Sequence, residues 1–186
     1  MRLYIVFFGL AMFSLLACQE VTTPIKQSDK SAIFFDLKDF FQKEKARLEK
    51  INSFKKTVSI NGISEEKEVA TLNFDNELSI FIASDINRPA WSDKYKVDSI
   101  FTAQKKLSQI TYSVLDESLK TKKITIDFQD NIAVNIEIEK ATDNAVAQSK
   151  QVLFYTVGKG YSIQSKQALS LSDTKTILVQ VDYNRQ

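Results

Sequence analysis

From residue 33 onward the apolar positions first recur at helical spacing. Ile33, Phe34, Leu37, Phe40, Phe41, Leu48 and Ile51 follow the i, i+3, i+4, i+7 pattern, and Lys38, Asp39, Gln42, Lys43, Lys45 and Arg47 fill the opposite face. This predicts an amphipathic helix with Ser31 as its N-cap. Its phenylalanines read as a core face packed on a sheet rather than as a ligand or partner-binding stripe. Phe54 to Ile60 then alternates apolar and polar residues, Asn61-Gly62 signals a turn, and Glu68 to Leu72 is the expected return strand. Leu78, Phe81 and Ile82 predict a second helix over Asp75 to Ile86, stopped by Asn87-Arg88-Pro89. Ser92 to Ser99 follows neither period.

The remainder reads as strand after strand. Leu107 to Leu115, Lys122 to Phe128, Ile132 to Glu139, Gln151 to Val157, Tyr161 to Gln167 and Thr176 to Tyr183 all carry high β-propensity. Ile132, Val134, Ile136 and Ile138 alternate with Ala133, Asn135, Glu137 and Glu139, as a strand with one dry face requires. Keeping apolar residues on one face predicts a three-residue loop Gln129-Asp130-Asn131, which pairs Phe128 with Ile132, Ile126 with Val134 and Ile124 with Ile136. The same logic at Gly158-Lys159-Gly160 pairs Val157 with Tyr161 and Tyr155 with Ile163, with Gly160 left-handed. Val152 to Val157 is apolar at both alternations, so it is expected centrally with both faces covered. The fold class is therefore α+β: two helices packed on a curled, mostly antiparallel meander sheet of about six to eight strands.

Ahead of the domain, Arg2 precedes an apolar run from Leu3 to Leu16, 14 residues long. That suits a signal-peptide core, whereas a membrane-spanning helix needs about 20. The run closes on Leu15-Leu16-Ala17-Cys18, and Cys18 is the only cysteine in the chain. This tetrapeptide resembles the lipobox of bacterial lipoproteins. The resemblance implies that residues 1–17 are a signal peptide and that Cys18 is lipidated and becomes the first mature residue. Stable anchoring takes at least two acyl chains, and the diacylglyceryl, N-acylated cysteine of that family carries three. Gln19 to Lys30 is polar and aperiodic, and its 12 residues reach at most roughly 40 Å as a tether. Residues 31–186 are read as a single domain.

Composition narrows the function classes. Without Arg2, 24 Lys+Arg face 23 Asp+Glu, and near-neutrality argues against a nucleic-acid binder. The lone cysteine leaves no disulfide. The chain has no histidine, which removes Ser-His-Asp and Cys-His catalysis and the commonest metal ligand and general base. With 4 glycines, Gly-rich phosphate loops are absent.

Few residues remain as candidate chemistry. Glu65-Glu66-Lys67-Glu68 and Asp116-Glu117 are carboxylate clusters near expected turns, where charge is normally solvated. Asp127, Asp130 and Asn131 lack EF-hand spacing, and the hairpin turn already explains Asp130 and Asn131. In Ser149-Lys150 and Ser165-Lys166 the neighbours point to opposite faces of a strand, so neither forms a dyad. Arg88-Pro89-Ala90-Trp91 holds the single tryptophan and follows a helix end. Arg88 and Trp91 are the candidate partner-binding residues, since Trp and Arg are frequent hot spots. The competing reading is a Trp that caps the core. No catalytic residue, metal ligand or cofactor is expected.

Phe34-Phe35-Asp36-Leu37-Lys38-Asp39-Phe40-Phe41 resembles the first helix of Bacteroidota-type lipoproteins that carry no assigned activity. Helices against a curled antiparallel sheet are also similar to the half-barrel of lipoprotein-localisation factors, a likeness of fold alone. Three functions compete. The first is a lipid-anchored, non-enzymatic envelope protein that binds a partner protein or assembly. The second is a carrier of an apolar ligand or lipid, which needs a cavity on the concave face lined by Ile, Phe and Tyr. The third is a carboxylate-only hydrolase, which needs two facing acids roughly 5–10 Å apart. The address is the cell envelope, on the outer membrane in preference to the inner, with the domain in the periplasm or at the cell surface. The sequence leaves the oligomeric state open.

Overall fold

The computed structural model describes residues 33–145, 147–169 and 172–183 of the chain. Cys18, the expected signal peptide and tether, and the expected cap Ser31 lie outside the described residues. The first helix, α1 (Leu37–Leu48), starts later than its apolar pattern suggests, and its cap is Asp36, whose carboxylate accepts from the Asp39 N–H at 2.8 Å. Residues 34 and 35 are held off the helix by Asn87. The Asn87 side chain accepts from the Phe34 N–H at 2.9 Å and donates to the Phe35 carbonyl at 3.1 Å, while the Phe35 N–H donates to the Tyr112 hydroxyl at 3.0 Å. Ile33 is 63% exposed and leaves the apolar stripe.

The expected second helix is two single turns, α2 (Phe74–Glu77) and α3 (Ser79–Ile82), which meet at Leu78. Asn73 caps the first turn through the Asn76 N–H. The Ser79 hydroxyl donates to the Asn76 carbonyl at 2.7 Å, and such local bonds compete with a continuous helical ladder. Leu78 and Phe81 are fully buried, so the apolar spacing survives the break.

Nine strands form one open sheet: β1 (Phe54–Ile60), β2 (Ile63–Val69), β3 (Tyr95–Phe101), β4 (Leu107–Val114), β5 (Thr121–Gln129), β6 (Ile132–Asp143), β7 (Ala147–Thr156), β8 (Gly160–Leu169) and β9 (Ser172–Tyr183). The order is β2-β1-β9-β8-β7-β6-β5-β4-β3, with every neighbour antiparallel. The meander thus runs from β3 to β9, and the first hairpin joins its far side against β9. The count exceeds the expected six to eight because the aperiodic stretch after Ser92 becomes β3. As an edge strand it pairs only with β4 and carries little alternation. The return strand also begins earlier than expected, at Ile63, because Asn61 (φ 50) and Gly62 (φ 85) make a two-residue left-handed turn that sets Ile63 opposite Ile60.

Two further registers differ from expectation. At the β5–β6 connection the loop has two residues, Asp130 and Asn131, both left-handed at φ 50 and 65, and Phe128 pairs with Ala133. Val134 is then an extra residue in β6, and this bulge returns Ile126 to Ile136 and Ile124 to Ile138. Ala133, Ile136 and Ile138 are all buried, so the bulge achieves by a change of parity what a longer loop was expected to achieve. At the β7–β8 connection the loop is Val157-Gly158-Lys159, with Gly158 left-handed at φ 72. Tyr155 therefore stands opposite Tyr161, and Leu153 opposite Ile163.

β7 is the central strand, as its composition suggests, but only one of its faces is covered. Leu153 and Tyr155 are buried, whereas Phe154 on the outer face is 38% exposed. The helices pack on the inner face. The Phe41 ring meets Phe81 at 4.9 Å, Phe40 at 5.1 Å and Tyr155 at 5.1 Å between centroids. Around this layer Leu37, Leu48, Ile124, Ile126, Ile136, Ile138, Leu153 and Val181 complete the core. Burying side chains of this size contributes about 1.5–3 kcal/mol each.

Close backbone contact explains Gly160. A Cβ there would lie 2.1 Å from the Val181 carbonyl oxygen, whereas one at Gly62 meets nothing within 4 Å. Gly160→Ala is expected to lower unfolding free energy by at least about 2 kcal/mol. Gly62→Ala, which strains only its own backbone, is expected to lower it by about 1 kcal/mol. Denaturant unfolding of the two variants checks this, and equal losses would contradict it.

Candidate functional site

Two places in the domain carry polar chemistry: a surface at the β3 edge and a buried cluster under the helices. The edge site begins where Asn87 is clamped. Arg88 is extended, and Pro89 opens a single 3-10 turn, Pro89–Trp91, closed by the Trp91 N–H on the Arg88 carbonyl at 2.8 Å. This brings the Arg88 guanidinium to 4.3 Å from the centre of the Trp91 ring, a cation–π pair. Arg88 is exposed, whereas Trp91 is half-buried and packs against the core. The tryptophan thus both caps the core and supports an exposed cation.

The chain turns directly from this pair into β3, where the Lys94 N–H donates to the Trp91 carbonyl at 3.1 Å. Tyr95, the first residue of β3, has its phenol pushed up to about 12 by burial, with the nearby Arg88 charge acting in the opposite direction. Its hydroxyl donates to the Thr121 carbonyl at 2.9 Å and fastens the strand to the domain. Beyond it, Val97, Ile100 and Phe101 are 50%, 56% and 59% exposed along an unpaired edge. The opposite edge, β2, holds Glu65, Glu66, Lys67 and Glu68, with Glu66 paired to Lys55 at 2.9 Å. Charge on an edge strand discourages further pairing, so the two edges differ in what they admit.

The buried cluster was not evident from the charge pattern. Glu44 lies on the inner stripe of α1 between Phe41 and Leu48, with its side chain 12% exposed. It accepts from Arg47 at 2.6 Å and from the Tyr155 hydroxyl. Glu77, at the end of α2, accepts from Lys56 at 2.5 Å and from the Tyr161 hydroxyl at 2.5 Å. Each of the four carboxylate oxygens therefore holds a donor. The Tyr183 hydroxyl is buried near Tyr155 and has no partner in hydrogen-bonding geometry. Burial, followed by neighbouring phenolic and carboxylate charge, raises Tyr155. Burial and then the Glu77 bond raise Tyr161, and burial raises Tyr183. The one sequence signal for this cluster was a glutamate at a position of the helix that the apolar stripe reserves for the core.

The other candidates are dispersed over the surface. Asp116 is held by Ser118 and Lys94, and Glu117 by Lys122 at 2.8 Å. Asp127 accepts from Gln109 at 2.8 Å, and Asp130 pairs with Lys106 at 2.8 Å. Ser165 is buried beside Gln167, while Lys166 is exposed on the other face of β8, so they form no dyad. Among the described residues, no group of three or more acidic, cysteine or histidine side chains is placed to hold a metal ion, and no helix is long and apolar enough to cross a membrane. No family model matches the chain, and neither does a curated protein or a solved structure.

A tyrosine whose folded pKa is raised stabilises the fold fully below its unfolded value near 10, and that stability is lost as pH climbs toward the folded value. Unfolding free energy is therefore expected to fall above about pH 10. The absorbance of ionised Tyr95, Tyr112, Tyr155, Tyr161 and Tyr183 is expected to appear together with unfolding. A full tyrosine titration by pH 11 in a still-folded protein would contradict this. Tyr161→Phe, which removes a donor from a buried carboxylate, is expected to cost about 1–3 kcal/mol, whereas Tyr183→Phe is expected to be neutral within about 0.5 kcal/mol.

Proposed function

We propose that the chain is a lipid-anchored, non-enzymatic protein of the cell envelope that binds a partner protein at the β3 edge, beside Arg88 and Trp91. The observation that carries this reading is the contrast between a filled inner face and an open apolar edge. Phe41, Phe81 and Tyr155 fill the space between the helices and the sheet where a carried ligand would sit, which supports binding at the surface over carriage within. The carboxylates of the inner cluster are saturated by their own cations and tyrosines, which supports a structural role for them over hydrolysis. An extended partner segment pairs with the backbone of β3, Val97 and Phe101 supply apolar contact, and the Arg88–Trp91 pair supplies an anchor at its end. The membrane attachment is lipid on Cys18, and no cofactor takes part.

Two measurements test this. Cys18→Ser is expected to abolish metabolic lipid labelling, and unchanged labelling would refute the anchor. A photo-reactive residue in place of Val97 is expected to give a discrete protein adduct in cells, whereas one in place of Lys67 on β2 gives none. Trp91→Ala in the same chain is expected to reduce the Val97 adduct by about tenfold. No adduct from Val97, or equal adducts from both edges, would contradict the proposal.

A further inference from the structure

The free edge of β3 carries an order of charges that matches a second copy of itself. The Leu115 N–H donates to the Lys94 carbonyl at 2.8 Å, and Tyr95 stands opposite Val114. Bonding alternates along an antiparallel ladder, so Lys96, Asp98 and Ile100 turn their backbone groups toward β4. Tyr95, Val97 and Ser99 turn theirs outward, to the open side of the edge. Side chains alternate as well. Tyr95, Val97 and Ser99 share the helix-covered face with the buried Tyr112, while Lys96 and Asp98 lie on the outer face, 3.0 Å apart. Both charges are more than half exposed, and Val97, Ile100 and Phe101 are exposed on the same strand.

Self-pairing restricts the register. Two copies joined edge to edge by a two-fold axis normal to the sheet pair antiparallel, and the central residue faces its own counterpart. Centres on Tyr95, Lys96 and Asp98 set like charges face to face: Lys96 against Lys94, Lys96 against Lys96, and Asp98 against Asp98. Such pairs destabilise a sheet. A centre on Ser99 carries Tyr95 past the end of the partner strand at Phe101 and leaves Lys96 and Asp98 facing uncharged residues. A centre on Val97 meets none of these objections. Val97 faces Val97 and Tyr95 faces Ser99, all with backbone groups directed at the seam, so each pair exchanges two backbone hydrogen bonds. On the outer face Lys96 of each copy stands opposite Asp98 of the other, and the own-chain pairs complete a square of alternating charge. The β2 edge lacks this property: centred on Glu65, Glu66, Lys67 or Glu68, it sets like charges on the axis.

We propose that the partner at the β3 edge is a second copy of this chain, joined through antiparallel β3 strands centred on Val97. This rests on the reading that the β3 edge binds a partner, and it supplies the partner's identity. The pairing closes at two copies and covers both β3 edges. It sets Phe101 of each copy level with Asp93 of the other, just past the Pro89–Trp91 turn. One strand from each copy makes an interface below the roughly 1,200 Å² of standard complexes, so the pairing is reversible.

The test co-produces two copies of the full chain with different C-terminal epitope tags, each with a photo-reactive residue in place of Val97. Irradiation in cells is expected to give an adduct of two chains that carries both tags. Lys96→Glu in both copies, or Asp98→Lys in both, replaces opposite charges by like ones and is expected to lower that adduct at least about tenfold. Lys96→Glu in one copy with Asp98→Lys in the other restores opposite pairs across the seam and is expected to recover it. Recovery also shows that both variants fold. A doubly tagged adduct that ignores these exchanges, or one that extends beyond two chains, would overturn the proposal. So would an adduct of Val97 with a different protein, which leaves the edge reading standing. No adduct from Val97 would remove the edge reading and this inference together.

Discussion

Everything in this domain depends on Phe41 and its neighbours closing the inner face of the sheet. Nine antiparallel strands present two broad faces, and the helical residues are enough to cover only one of them. The ring of Phe41 sits among Phe40, Phe81 and Tyr155, so one residue ties α1, α3 and the central strand together. Aromatic pairs of this geometry add about 0.5–1.5 kcal/mol each beyond the area they bury. Because this layer occupies the side covered by the helices, what remains for interaction is the rim, the outer face and the ends of the strands.

Closing that face with tyrosines brings a second requirement. A phenol reaching into the interior needs a partner for its hydroxyl, and here glutamates provide it. Glu44 and Glu77 enter the core edge accompanied by Arg47 and Lys56, so each carboxylate is neutralised and each accepts from a tyrosine. The cluster looks like acid–base equipment by composition. By connectivity it satisfies buried polar groups, because its oxygens are already committed to the protein's own donors.

Much of the architecture was legible in the sequence wherever burial is one-sided. The α1 stripe, the β5 and β6 alternations and the central position of β7 follow from the apolar pattern, whereas the expected cover on both faces of β7 does not. Departures arose where local hydrogen bonding or backbone geometry competes with that period. Asn87 takes the backbone groups of residues 34 and 35 and delays α1 to Leu37. Ser79 divides the second helix. The bulge at Val134 lets a two-residue turn coexist with isoleucines on the inner face, a solution invisible to any argument that assumes unbroken alternation. β3 escaped because an edge strand needs no dry face. Of the candidate site, Arg88 and Trp91 stood out by residue type and meet as a pair, whereas Glu44 required noticing a charge at a core position. The opposition of Lys150 and Lys166 depends on a register that the expected loop misplaced by two residues, since it would have set Lys150 opposite Ala168.

A filled inner face and an open edge support the proposal of a protein that binds its partner by its surface, and the proposed lipid on Cys18 is a separate expectation from the sequence. Native mass spectrometry of the protein released gently from its own membranes tests that claim most directly. The polypeptide is expected to begin at Cys18, to carry covalent acyl mass there and to hold no apolar molecule inside. A stoichiometric, non-covalently bound lipid or other apolar ligand would contradict it.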